Sequence, residues 1–97
     1  MNDLKPTEKI YTVYDSKSES WGQPLFFDCR ANALRSLAEC VNATEDQKNS
    51  IAKYPSDFTF FEIGEYSKWT GIITMYEIKT NLGLAIEYKK ADLVPQN

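Results

Sequence analysis

Strands dominate the pattern of hydrophobic and polar positions along the chain. Runs of β-branched, aromatic and other apolar residues predict four of them, at 8–15, 25–27, 58–66 and 72–78. The polar residues at 15–22 indicate a loop after the first strand, and turn-forming residues before the last strand indicate a hairpin. The third strand carries aromatic residues on both faces, a pattern typical of a central strand or of a face used for binding.

One helix interrupts the series of strands. Apolar residues recur three and four positions apart after Asp28, and this spacing predicts a helix over about 29–41. Asp28 is the expected N-cap, because its carboxylate can accept hydrogen bonds from the first turn. The connection at 42–56 has room for one short helical turn near 47–52.

These elements predict an α+β fold in which a largely antiparallel sheet of four or five strands packs on one main helix. The segment 81–90 fits both strand and helix spacing, and Gly83 favours the strand because glycine weakens a helix. The length suits one hydrophobic core, so residues 1–97 are expected to form a single domain. We expect flexible ends at 1–7 and 91–97.

The charge and hydropathy of the chain exclude several classes of protein. Eleven basic and fourteen acidic residues give a net charge of −3, which opposes strong non-specific attraction to a nucleic-acid backbone. No apolar run approaches the roughly 18 residues that a membrane span needs, and the N-terminus is charged where a signal peptide would be apolar. We therefore expect a protein that stays in the cytoplasm and does not enter a membrane.

The residue types that most enzymes and metal sites use are scarce. The chain has no histidine, the commonest general base, and its four glycines occur singly, so no phosphate-binding loop is present. Glu62 and Glu65 are three positions apart in a strand, which puts them on opposite faces as exposed residues rather than as a catalytic pair. Cys29 and Cys40 lie about 16 Å apart on the predicted helix, too far for a disulfide, and two thiols alone make a poor metal site. We expect free thiols, no metal, no cofactor and no catalysis.

Aromatic side chains supply the candidate binding surface. Sheets with exposed aromatic residues and nearby Lys or Arg stack single-stranded bases in several folds. Both tryptophans lie in predicted loops close to a lysine, and two arginines lie on the polar side of the predicted helix. Each of these residues could instead be a core ring or a solvated surface charge. The candidate nucleic-acid-binding residues are Trp21, Trp69, Lys17, Lys68, Arg30 and Arg35.

Blocks of sequence in a fixed order point to one phage family. The blocks are YTVYDSK at 11–17, Ala33-Leu34-Arg35 in the predicted helix, YPSDFTFFEIGEY at 54–66, Thr70-Gly71, and LGLAIEYK at 82–89. Over nearly its whole length the chain resembles the small non-structural protein of gokushoviruses, the Microviridae branch of phages with single-stranded DNA genomes. It departs from that pattern at 78–81, just before Leu82, where a proline is frequent in the family.

The resemblance implies an early, non-capsid protein that works near viral DNA replication in the host cytoplasm. Such a protein could bind single-stranded DNA, or assist single-stranded genome synthesis and packaging. A second function stays open, because the net negative charge favours an adaptor that contacts a viral or host replication protein without binding DNA. We also expect a homodimer, since the strand at 58–66 is apolar on both faces in a chain too small to cover both.

Overall fold

Residues 7–43 and 49–90 are described by a computed structural model of the chain. The strands are β1 (Thr7–Asp15), β2 (Ser20–Trp21), β3 (Leu25–Phe27), β4 (Phe58–Ser67) and β5 (Ile73–Leu84). The helices are α1 (Arg30–Val41) and the single turn α2 (Ser50–Lys53), and 3₁₀ turns occupy Pro55–Asp57 and Ala85–Tyr88. The predicted α+β fold, with a five-stranded sheet and one main helix, is confirmed.

The sheet is antiparallel throughout, and its strands follow the order β2-β1-β4-β5. β4 pairs with β1 along its whole length, so β2 and β3 share the opposite edge of β1. β3 pairs with residues 9–11 of β1, and β2 pairs with its last two residues. β4 is therefore a central strand, which is one of the two arrangements that its apolar faces indicated, while β5 lies at an edge of the sheet.

One face of the sheet is covered by α1. Leu37 and Val41 of the helix pack with Phe58 and Phe60 of β4 in the hydrophobic core. This packing follows from the sequence, since residues four apart on a helix and two apart on a strand share a face. Neighbouring strand residues point to opposite sides, so Phe61 lies on the side away from α1, which we call the outer face.

A β-bulge in β4 changes which side chains share a face. Two consecutive residues of β1 pair with Gly64 and Glu62, so Ile63 has no partner on β1. This extra residue places Glu62 and Glu65 on the same face. The prediction of opposite faces was wrong because strict alternation assumes an unbroken strand. Glycine is required at position 64, where a Cβ atom would lie 2.6 Å from the backbone oxygen of Thr74.

A longer irregularity lies in β5. The register on β5 steps from Met75 to Thr80 while β4 advances by only two residues, so residues 76–79 have no register partner on β4. β5 continues to Leu84, six residues past the end of the strand predicted at 72–78.

The ambiguous segment at 81–90 divides into two parts. It is strand as far as Leu84, which agrees with the preferred prediction, and a 3₁₀ turn follows over Ala85–Tyr88. Gly83 lies in the strand with φ 108°, a backbone conformation that glycine adopts without strain. The strand preference therefore holds for the first part of the segment only.

The start of α1 differs from the prediction. The helix begins at Arg30, and its N-cap is Cys29, which has extended backbone and no side-chain hydrogen bond to the first turn. The carboxylate of Asp28, the predicted N-cap, instead accepts a hydrogen bond from Asn32 Nδ2 at 2.7 Å. This bond lowers the pKa of Asp28. Asp28 therefore bonds to the side chain of Asn32 in the first turn and not to a backbone N–H group of the helix.

Other boundaries differ from the predictions by a few residues. The loop at 15–22 contains the two residues of β2, and α2 lies near the turn predicted at 47–52. Thr7, assigned to the flexible start by prediction, pairs with Ser67 in the sheet. Residues 1–6 and 91–97, the rest of the predicted flexible ends, lie outside the described residues.

Both cysteines are free thiols at opposite ends of α1. Cys29 precedes the first turn and Cys40 is the residue before the last one of the helix, so the arrangement on one helix agrees with the prediction. Cys40 Sγ lies 3.7 Å from Asn49 Oδ1.

None of the helices in the described residues has the length and apolar character that a membrane span needs.

Candidate nucleic-acid interface

An aromatic cluster surrounds Trp21 on the outer face of the sheet. β2 pairs Trp21 with Tyr14 of β1, and the centroids of their rings are 4.8 Å apart. The Trp21 ring also packs edge-on against Phe61 of β4, with centroids 5.0 Å apart. Trp21 remains 46% exposed. Two neighbouring rings therefore restrain the indole while part of it faces solvent.

The backbone after Trp21 is held in place by β1. The hydroxyl of Thr12 donates a hydrogen bond to the carbonyl oxygen of Gly22 at 2.8 Å, and Thr12 is buried. Trp21 therefore occupies a fixed position in the sheet rather than the free loop that its polar neighbours predicted. A shallow depression opens beside the indole and is bounded by Thr12, Ile63 and Lys79.

Lys79 brings a positive charge to the Trp21 ring. It is the last residue of the unpaired segment of β5, and its Nζ lies 5.2 Å from the centroid of the Trp21 ring. A cation–π contact of this kind is worth about 0.5–1 kcal/mol at an exposed site. Lys79 forms no salt bridge with any of the residues that the structure describes. We call Trp21, Tyr14, Phe61 and Lys79 the Trp21 cluster.

A second aromatic pair lies further along the outer face. Phe26 of β3 contacts Tyr66 of β4 edge-on, with ring centroids 5.8 Å apart and an interplanar angle of 81°. Phe26 pairs with Ile10, four residues before Tyr14 on β1, so this pair lies about 13 Å from Trp21 along the strand. The outer face therefore carries two groups of partly exposed rings.

A buried carboxylate lies on the face that α1 covers. Glu62 Oε1 accepts a hydrogen bond from Arg30 Nε at 3.0 Å, and Glu62 Oε2 accepts one from the Tyr76 hydroxyl at 2.6 Å. The side chain of Glu62 is 5% exposed and that of Arg30 is 52% exposed. The buried hydroxyl of Tyr11 has no hydrogen-bond partner among the described residues. We call Glu62, Arg30, Tyr76 and Tyr11 the Glu62 network.

The Glu62 network keeps its carboxylate ionised. Burial alone would raise the pKa of Glu62, but hydrogen bonds from Tyr76 and Arg30, with the charge of Arg30, bring it below its ordinary value. Burial and the adjacent Glu62 carboxylate raise the pKa values of Tyr11 and Tyr76. At neutral pH the network is therefore a carboxylate–guanidinium pair beside two neutral phenols, and it ties the start of α1 to the sheet.

The chemistry open to Glu62 is limited because both of its carboxylate oxygens are engaged. The prediction that Glu62 is an exposed strand residue was wrong, since the bulge and α1 enclose it. Glu65, on the same face, is half-buried, and its Oε2 lies 3.4 Å from Lys9 Nζ. Over 7–43 and 49–90, no group of three or more His, Cys, Asp or Glu side chains could hold a metal ion.

A family model described as Phage ORF5 protein matches residues 8–88, which is most of the chain. The chain belongs to the Phage ORF5 protein family. Protein ORF5 of Chlamydia phage 1 is 35% identical over 63 residues, a match that covers 63% of this chain and 65% of that relative. Chlamydia phage 1 is a gokushovirus of the Microviridae, so the resemblance to gokushovirus proteins is confirmed. No solved structure matches the chain.

In this Phage ORF5 family member, the two predicted tryptophans lie at opposite ends of the sheet. Trp21 is beside Tyr14, whereas Trp69 lies in the hairpin turn beyond the pair formed by Thr7 and Ser67. Seven residues of β1 separate these two positions, which corresponds to about 23 Å. Trp69 is 68% exposed. The structure therefore does not bring the two indoles into one site.

The two predicted lysines divide between the same ends. Lys17 is exposed in the turn between β1 and β2, at the end that holds Trp21. Its backbone N–H donates to Asp15 Oδ1 at 2.9 Å, so Asp15 shapes the turn that presents Lys17. Lys68 lies at the hairpin end, where its Nζ is 3.8 Å from Glu8 Oε2. Of these two lysines, only Lys17 is therefore placed to act together with Trp21.

The two predicted arginines belong to α1, on the other side of the sheet from the Trp21 cluster. Arg30 is the first residue of the helix, and its guanidinium contacts Glu62. Arg35 is exposed in the middle of the helix. The fold therefore places neither arginine side chain near Trp21.

Three members of the Trp21 cluster are missing from the set of sites predicted from the sequence. Tyr14 and Phe61 are visible in the sequence as strand aromatics, but the strand register decides that both lie beside Trp21. Lys79 follows the predicted end of the last strand, and its position depends on the bulge at 76–79. Many sheets carry aromatic residues on nearby strands with a lysine close by. The sequence pattern alone therefore does not single out these three residues.

Proposed function

We propose that this protein binds single-stranded DNA on the outer face of its sheet, without catalysis, during synthesis or packaging of the phage genome in the host cytoplasm. The Trp21 cluster carries the proposal, because it combines a restrained, half-exposed indole with a lysine ammonium group. Stacking of bases on aromatic rings and cations near the backbone are the contacts with which proteins hold single strands irrespective of sequence.

The energies of the contacts favour a base at Trp21. Tyr14 and Phe61 already restrain the indole, so little side-chain freedom would be lost when a base stacks on it. Stacking contributes about 1–3 kcal/mol per base, whereas the contact of Lys79 with the ring is worth about 0.5–1 kcal/mol. A base could therefore displace the ammonium group from the ring, and Lys79 would then be free to contact a phosphate.

The charge distribution predicts a mild dependence on salt. The protein has a net charge of −3, so the attraction to DNA must come from a few local cations, and Lys79 and Lys17 lie at the Trp21 end. One or two phosphate contacts would make the logarithm of the binding constant fall against the logarithm of salt with a slope of about −0.7 to −1.4.

Family membership supports single-stranded DNA as the ligand. The chain resembles proteins of phages that have single-stranded DNA genomes, and such genomes must be copied and packaged. The Phe26–Tyr66 pair, about 13 Å from Trp21 along β1, would give the same strand a second place to stack. We therefore expect affinity to rise with oligonucleotide length until both groups of rings are covered.

Fluorescence anisotropy with labelled oligothymidylate at low salt tests the stacking contact. Trp21→Ala should weaken binding between about fivefold and hundredfold, which corresponds to the loss of about 1–3 kcal/mol for one stacked base. Trp69→Ala is the matched control, because Trp69 is more exposed and lies about 23 Å away. Circular dichroism would verify that both variants fold. Wild-type affinity in Trp21→Ala would refute a stacking site at Trp21.

The salt dependence tests the phosphate contact separately. Lys79→Gln should reduce the slope by about 0.7, the value for one phosphate of a single strand. Lys68→Gln should leave the slope unchanged, because Lys68 is paired with Glu8 at the other end of the sheet. If the wild-type protein at tens of micromolar binds no oligonucleotide at low salt, DNA binding is refuted and the adaptor function becomes the better hypothesis.

A further inference from the structure

β5 is an unprotected edge strand. It ends the strand order of the sheet, and among residues 7–43 and 49–90 no strand pairs with its outer edge. It is 12 residues long, about twice the usual strand length. Long edges normally carry several charges or a proline that prevent pairing with other chains. β5 has only two charged residues, Glu77 and Lys79, and no proline.

Apolar side chains concentrate along this edge. Of the eleven large hydrophobic side chains that are exposed in the described part of the chain, five lie on β5 or immediately before it: Ile72, Ile73, Met75, Ile78 and Leu84. Ile78, between the two charged residues, is 81% exposed. A row of exposed apolar residues with few charges indicates an interaction surface.

The middle of β5 also has backbone groups available for pairing. The outer edge of β5, which includes residues 76–79, faces no strand of residues 7–43 and 49–90, and the Tyr76 hydroxyl bonds to Glu62 and holds the segment against the sheet. Backbone N–H and C=O groups are stabilised by hydrogen-bond partners when they are removed from water. A strand added at the outer edge would supply those partners.

We propose that β5 pairs antiparallel with β5 of a second copy of the chain, about a two-fold axis at Ile78. In this register Glu77 faces Lys79 of the partner subunit, and Lys79 faces Glu77 of the partner subunit. Two cross-strand pairs of opposite charge therefore flank the paired isoleucines, and such pairs stabilise a sheet. This self-complementarity is what a two-fold interface requires, and it favours a second copy over an unrelated strand.

The proposal places the homodimer contact at β5 rather than at 58–66, where the sequence led us to expect it. β4, which spans those residues, is paired on both edges and is covered by α1 on one face. A β5 contact would join the two sheets into one continuous sheet. The contact needs no DNA, but it shares Lys79 with the proposed DNA site, so dimerisation is measured on the protein alone.

Sedimentation velocity of the full chain tests the register by exchanging the charges. Wild type should sediment as a dimer at tens of micromolar. Glu77→Lys and Lys79→Glu should each weaken dimerisation by about tenfold or more, because like charges then face each other twice. The double variant should restore wild-type dimerisation, since the exchanged charges face each other again. A monomeric wild type, or a double variant as weak as the single variants, would overturn the proposal.

A second pair of variants tests the position of the axis. Ile78→Asp should abolish dimerisation, because two carboxylates would meet at the two-fold axis. Ile86→Asp is the matched control, since Ile86 is also an exposed isoleucine but lies on the 3₁₀ turn after β5. Equal loss of dimer in both variants would contradict a contact centred on Ile78. If Ile78→Asp fails to fold by circular dichroism, the charge exchange at exposed positions still decides the question.

Discussion

Glu62→Gln preserves the shape of the side chain but removes the charge at the centre of the Glu62 network. The carboxylate accepts hydrogen bonds on both oxygens, from Arg30 Nε at 3.0 Å and from the Tyr76 hydroxyl at 2.6 Å. A glutamine amide has one oxygen and one NH₂ group, so if its oxygen accepts from Arg30, its NH₂ group faces the Tyr76 hydroxyl, which must then accept instead of donate. The substitution therefore removes one charge-assisted bond and weakens the other.

The expected loss of stability is about 2 kcal/mol. Hydrogen bonds to charged groups contribute about 1.5–3 kcal/mol each, and breaking a fully buried ion pair costs about 3–5 kcal/mol. The Arg30 side chain is 52% exposed and can turn to solvent, which places the cost below that of a fully buried pair. The amide also avoids the cost of burying a charge, which reduces the net loss further. A loss of about 2 kcal/mol corresponds to a decrease in Tm of roughly 8–16 °C for a domain of this size.

Urea and thermal unfolding followed by circular dichroism measure this loss. Glu65→Gln is the control, because it makes the same substitution on the same strand and face. The carboxylate of Glu65 pairs with Lys9 at 3.4 Å, and both side chains are more than a third exposed. Pairs of this kind contribute about 0–1 kcal/mol. The difference between the two variants therefore isolates the contribution of the buried network.

The pH dependence supplies the decisive check. The folded protein has a lowered pKa at Glu62, so the stabilisation is complete above the pKa of the unfolded chain and is lost as the pH falls through the folded-state pKa. The stability difference between wild type and Glu62→Gln should shrink as the pH is lowered from neutral to below the ordinary glutamate pKa of about 4.3. A difference below about 0.5 kcal/mol at neutral pH, or one that is independent of pH, would refute an ionised anchor.

Two further predictions concern the backbone and the thiols. Gly64→Ala should lower the unfolding free energy by about 1–3 kcal/mol in urea titrations, because its Cβ would lie 2.6 Å from the backbone oxygen of Thr74. Gly22→Ala should cost less, because its nearest contact would be an ordinary one of 3.5 Å. Thiol titration of freshly purified monomer in denaturant without reductant should find both Cys29 and Cys40 reactive, since α1 separates them; fewer than two thiols would contradict this.

The secondary structure was largely predictable because each element carries its own periodicity. The run of β-branched and aromatic residues in β1 and the spacing of apolar residues in α1 identify both elements without tertiary information. Aromatic residues on both faces also indicated the central position of β4 as one of two possibilities. β2 was not predictable, because two residues with polar neighbours become a strand only through pairing with β1.

The candidate site was less predictable because it depends on register. Alternation along an unbroken strand separates Glu62 from Glu65, and a single extra residue, Ile63, places them on one face. Proximity in sequence groups Trp69 with Lys68, yet the hairpin carries both to the end of the sheet opposite Trp21. Local sequence gives the kinds of residues on a strand, whereas bulges and pairing decide which of them meet.

The bulge at 76–79 links the two faces of the sheet. Tyr76, at its start, bonds to Glu62 on the face that α1 covers, while Lys79, at its end, lies over Trp21 on the outer face. The segment has no register partner on β4, and the bond to Glu62 adds a side-chain contact at its start, next to the pair formed by Met75 and Gly64. The buried carboxylate therefore also helps to position the cation of the proposed DNA site, although the two lie on opposite sides of the sheet.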